Sequence, residues 1–153
     1  MAVGTVSGIV PEDNWQLITS VTASGTSITF SSLSGYKHIW IVGQSITKSA
    51  SVNIGIRPNN DSSAGSYCMS WTGGTDTQFL IAPATASSQA SAFRIFNIDK
   101  SIPHDIEGEY DPADWIPQAA YVNPVPITSL VVRTSNGSAT FTGGTFYVYG
   151  IPA

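Results

Sequence analysis

Thirty-six hydroxyl side chains (21 Ser and 15 Thr), two histidines and ten carboxylates are the groups of this 153-residue chain that could do chemistry. A serine beside an imidazole would give an activated nucleophile, because the ring takes up the hydroxyl proton. No G-x-S-x-G elbow occurs, and no other nucleophile motif is present. His38, between Lys37 and Ile39, reads as structural, since nothing marks it as a base. His104 stands beside Asp105 in a proline-rich stretch and reads as an idle surface group. Six of the ten acids fall in residues 99–114: Asp99, Asp105, Glu107, Glu109, Asp111 and Asp114. Glu107 and Glu109 would share a face on a strand. Paired carboxylates can hydrolyse glycosides, but only across a sugar cleft at a set separation that no spacing here fixes. Oxygen ligands on a loop can hold Ca²⁺, yet no EF-hand spacing appears. The plainer reading is a solvated acidic loop, or one facing a basic partner. No catalytic residue, metal or organic cofactor is expected.

Four tryptophans (Trp15, Trp40, Trp71 and Trp115) and six tyrosines could stack on sugar rings. In a β protein most aromatics are core, because each buries so much area. Trp40 reads as core, whereas Trp71 and Trp115, near Gly and Pro, read as exposed.

Composition narrows the classes further. Charged residues make up 10% of the chain, against roughly 25% in an average soluble domain. Six cations and a net charge of -4 cannot neutralise many phosphates, so nucleic acid is not an expected partner. No apolar run approaches the roughly 18 residues of a membrane span, so no membrane role is expected. The first residues lack the charged and apolar regions of a secretory signal. A single cysteine, Cys68, allows no internal disulfide.

The elements that would position these groups are short strands. Residues 1–14 read as an N-terminal arm, and residues 15–153 as a single β-sandwich domain. Strands are expected over Trp15–Ala23 and Thr26–Phe30. The run Tyr36–Thr47 puts Ile39, Ile41 and Gly43 on one face and His38, Trp40, Val42 and Gln44 on the other, as in a central strand covered on both sides. In Ser51–Arg57, Val52, Ile54 and Ile56 point inward, and Pro58-Asn59-Asn60-Asp61 turns the chain. Strands over Ser66–Trp71 and Gln78–Ala82, a small-residue loop over Ala84–Ala92 and a strand over Ala92–Asp99 follow. Residues 100–126 hold five prolines and read as one long connection with a helical turn near Asp111–Trp115. The end reads as a hairpin: Ile127–Ser135, a type I′ turn at Asn136-Gly137, and Ser138–Thr142. Gly143-Gly144 reads as another turn before Thr145–Ile151. Many short strands with turns at about 8–12-residue spacing, and no ordinary helix, give an all-β antiparallel β-sandwich. A jelly roll of about eight strands is the expected form. Its core would hold Ile39, Ile41, Val52, Ile54, Ile56, Phe93 or Phe96, Val132 and Val148.

Three stretches carry a resemblance. Gly25–Ile39 (GTSITFSSLSGYKHI) resembles a G-T-S-S-I-T-F-S-x-I-x-x-Y-K-H-L segment of small tailed-bacteriophage virion proteins. Ile56–Ser63 (IRPNNDSS) is similar to their I-R-x-N-x-D-S-S turn, and Thr140–Ile151 to their G-T-x-x-L-Y-G-I close, with Phe-Tyr-Val-Tyr where leucine is usual. The resemblance covers residues 15–63 and 127–151. It implies a jelly-roll virion component, often trimeric, and carries over no catalytic residue. The expected function is therefore that of a capsid decoration (cement) protein. It would be made in the host cytoplasm and placed on the capsid surface of the virion. There it would bind the major capsid protein over capsid-subunit junctions and itself as a homotrimer. The alternative is a receptor- or glycan-binding tail-fibre tip, which would call for a stalk or repeats beyond the short arm seen here. The arm and the acidic segment 100–126 would make the attachment, with Tyr110, Trp115 and Trp71 as partner-binding aromatics.

Overall fold

The computed structural model describes residues 14–69, 77–85, 88–111 and 118–153, and among them the chain forms eleven strands and no helix. In chain order these are β1 (Gln16–Thr22), β2 (Ser27–Phe30), β3 (Tyr36–Lys48), β4 (Val52–Pro58), β5 (Tyr67–Met69), β6 (Phe79–Thr85), β7 (Gln89–Ile95), β8 (His104–Asp111), β9 (Gln118–Tyr121), β10 (Leu130–Thr134) and β11 (Phe141–Pro152). Two antiparallel sheets result, ordered β1-β11-β3-β7-β8-β9-β5 and β2-β10-β4-β6. Eight strands pair in nested fashion: β1 with β11, β2 with β10, β3 with β7, β4 with β6. A long hairpin rolled up so that successive pairs fall in alternate sheets is a jelly roll. The expected eight strands are thus present, and β8, β9 and β5 extend the larger sheet beyond β7.

Period-two patterning builds the core. Ile39, Ile41, Ile54, Ile56, Phe93, Val132 and Val148 are all buried in one cluster between the sheets. Val52 and Phe96 are half-buried at its margin. Each fully buried large apolar side chain contributes about 1.5–3 kcal/mol. The two longest strands change parity midway. On β3 the buried face passes from Ile39, Ile41 and Gly43 to Ile46 and Lys48. On β11 it passes from Phe141 to Phe146 and Val148. Extra residues at Gln44–Ser45 on β3 and between Phe141 and Gly143 on β11 keep apolar side chains inward.

Several sequence-based expectations are corrected. Gly143-Gly144 is no turn but lies inside the continuous β11, in its irregular stretch Phe141–Thr145. Ala84–Ala92 is not a loop throughout: β6 runs on to Thr85, and β7 begins at Gln89. The connection over 100–126 contains β8 and β9, since its prolines flank these strands instead of interrupting them. The helical turn expected over Asp111–Trp115 falls almost wholly outside the described residues, and Asp111 itself ends β8. Asn136-Gly137 does reverse the chain, with the Gly137 N–H donating to Thr134 O at 3.0 Å. Only Gly137 there has positive φ, so the turn is not type I′. β10 and β11 then lie in different sheets and do not pair.

Candidate functional site

Register places one row of side chains across the outer face of the larger sheet. Leu17 on β1 faces Tyr149 on β11, which faces Trp40 on β3, then Arg94 on β7, Glu107 on β8 and Gln118 on β9. Adjacent strands are about 4.8 Å apart, so the row crosses six strands nearly in line. Trp40 and Tyr149 are half-buried, and Leu17, Arg94, Glu107 and Gln118 are exposed. The Trp40 and Tyr149 rings sit 5.6 Å apart, and Trp15 packs edge-on to Trp40 at 5.8 Å. The Arg94 guanidinium lies 5.0 Å from the centre of the Trp40 ring, a cation–π contact that holds its planar fork in place. The one ion pair among the described residues is Lys100–Asp99, which is not part of this row. The next row, Tyr147, Val42 and Ala92, is also half-buried. Trp40 is therefore not core: inward parity belongs to Ile39 and Ile41, and among the described residues no further sheet lies over the outer face of β3. Beside this row, the His38 Nδ1 accepts the Asn97 N–H at 3.1 Å. Burial and the neighbouring Lys37 hold the His38 pKa below its ordinary value, with Asp99 opposing them.

A second polar constellation lies where the β4–β5 turn meets the segment after β9. Asn59, at φ 51°, donates to Pro126 O at 2.9 Å and accepts the Thr128 N–H at 2.9 Å. Asp61 Oδ1 accepts the Ser63 N–H at 2.8 Å, and Oδ2 accepts the Tyr121 hydroxyl at 2.9 Å. The Tyr67 hydroxyl donates to the Asp61 carbonyl. Burial opposes ionisation of Asp61, but hydrogen bonds from Ser63, Ser66 and Tyr121 outweigh it and hold the carboxyl well below the usual range. Burial, reinforced by the Asp61 carboxylate, pushes the Tyr121 phenol up to about 12. Tyr121 stacks on His104 at 6.1 Å, and His104 Nε2–H donates to Val125 O at 2.8 Å. His104 is thus fully buried and not a surface group. These contacts tie turn to sheet.

Asp61→Ala is expected to cost about 1–3 kcal/mol, because the buried Tyr121 hydroxyl loses its acceptor. A carboxyl with a depressed folded pKa stabilises the fold above its unfolded pKa, about 3.9, and that contribution fades as pH falls through the folded value. The gap between wild type and variant in urea unfolding should be full at pH 7 and smaller near pH 3. Equal gaps at both would show that the charge is not involved.

The inner face carries one more feature. Lys48, Gln89 and Ser91 are buried polar residues at one end of the core. Burial draws the Lys48 ammonium down to about 8.

Of the aromatics singled out from sequence, Trp71 and Trp115 lie outside the described residues. Tyr110 lies in β8 opposite Ser91, and its side chain is outside the described set too. Residues 1–13 of the arm also lie outside. The structure thus describes none of these three side chains. It brings together Tyr149, Trp40, Arg94 and Glu107, of which the sequence offered the charge of Glu107 and the rings of Trp40 and Tyr149 as separate signals.

No family model matches the chain, and no curated protein matches it. Among solved structures, the chain is similar to CG-16, a homodimeric agglutinin from chicken liver. The superposition covers 82% of this chain and 99% of that chain, at 10% identity and a TM-score of 0.35. At that distance the likeness says nothing of function.

Proposed function

We propose that the chain is a non-enzymatic virion structural protein: a capsid decoration protein that assembles as a homotrimer and binds the major capsid protein over subunit junctions. The observation that carries this reading is the nested pairing of β1 with β11, β2 with β10, β3 with β7 and β4 with β6. It is the fold that the phage-like segments implied, and the similar turn Ile56–Ser63 is the place where Asn59 and Asp61 tie the sandwich together. A sandwich pinned in this way suits a protein that adds rigidity to a shell. The fibre-tip alternative draws on one observation, the half-buried Trp40 and Tyr149 on an outer sheet face.

The test mixes purified chain with capsids stripped of it, across a salt series, and measures mass in solution and occupancy on the particle. A trimer that rebinds and raises the temperature of genome release is expected. A monomer that leaves stripped capsids unoccupied at every salt concentration contradicts the proposal.

A further inference from the structure

We infer that the row Tyr149–Trp40–Arg94–Glu107 on the outer face of the larger sheet is a binding site for a neutral oligosaccharide. The inference does not depend on the chain's place in a particle. A sugar ring offers an apolar C–H face and an edge of hydroxyls that both donate and accept. Trp40 and Tyr149 are half-buried, so part of each ring stays exposed for apolar contact beside the Arg94 guanidinium that lies over the Trp40 ring. Next in register come a donor-only group, Arg94, an acceptor-only group, Glu107, and an amide that does both, Gln118. That order of stacking surface followed by complementary planar polar groups matches one sugar face and its hydroxyl edge. Arg94 is held against Trp40 before any ligand arrives, so less side-chain freedom is lost on binding.

Other occupants fit the row less well. The site is a sheet face, so an added peptide strand would find no free backbone groups there. A protein partner seated on the row would have to cover the exposed carboxylate of Glu107, and interface cores are depleted in such groups. Anionic ligands would meet exposed Asp105 and Glu107 on β8. A neutral chain of hexoses meets none of these penalties.

The experiment uses the full chain and follows tryptophan fluorescence and heat on titration with neutral hexaoses of glucose, galactose and N-acetylglucosamine. Sialyllactose and oligogalacturonate serve as anionic comparisons. At least one neutral hexaose is expected to bind with a Kd of roughly 10 μM to 1 mM, an ordinary range for a shallow site. Glu107→Ala and Arg94→Met, both at exposed positions, should each weaken it about tenfold, the scale of one charged hydrogen bond, with Tm unchanged. Trp40→Ala should abolish binding. The inference is overturned if no neutral hexaose binds, if the anionic sugars bind more tightly, or if Glu107→Ala and Arg94→Met bind as wild type does. In the last case the aromatics serve only as cross-strand pairs that stabilise the sheet. Capsid rebinding by the Arg94→Met variant separates this result from the virion reading, because Arg94 lies outside the segment 100–126 and that variant should still decorate particles.

Discussion

Gly144→Ala is expected to destabilise the fold by about 2–6 kcal/mol, the sum of a strained backbone and a steric clash. Gly144 sits in the irregular stretch Phe141–Thr145 of β11 at φ 95°, where an L side chain is strained. A Cβ there would lie 2.5 Å from Ser45 O and 2.7 Å from Gln44 O. Both are backbone atoms of the opposed bulge in β3, so neither can swing aside. Gly25 makes the control. Its φ is 69°, but a Cβ there meets nothing within 4 Å. Gly25→Ala should therefore cost only the left-handed conformation, about 1–2 kcal/mol. Urea unfolding of the two variants measures the difference. Equal losses would mean that the bulges of β3 and β11 are not in close contact.

Phe146→Ala is expected to cost about 3–5 kcal/mol, the usual range for removing a buried aromatic. Phe146 is fully buried and packs edge-on against Phe141 at 5.5 Å. It faces Gly43 in register, and its ring occupies the space a side chain at Gly43 would need, 2.9 Å from that Cβ position. No neighbour is placed to fill the void, because close-packed cores relax only in part. Against a typical stability of about 5–15 kcal/mol, this loss is large enough to read as a shift in urea midpoint at unchanged slope. Phe146→Leu should lose less. A Phe146→Ala protein as stable as wild type would move Phe146 out of the core.

Both predictions rest on parity changes that a single sequence does not reveal. Alternation made β3 and β4 legible, since Ile39, Ile41, Ile54 and Ile56 mark one buried face each. The turn at Asn59–Asp61 was legible because both residues favour turns through their own side-chain bonds. Gly143-Gly144 gives the same cue for a turn as for a bulge, and only the opposing Ser45 decides between them. β8 and β9 were hidden by prolines that cap them, and His104 by its charged neighbour. Trp40 was misplaced because local pattern shows that a face is apolar, not whether a second layer covers it. The candidate row was beyond reach altogether. Its residues come from six strands, and register between strands distant in sequence is set by tertiary packing.

Imaging particles made with and without this chain tests the central claim most directly, that a jelly-roll sandwich of this shape decorates a capsid. The account predicts density for two packed sheets, in sets of three around capsid-subunit junctions, present in the first sample and missing in the second. Particles whose capsids are identical in both samples would contradict it.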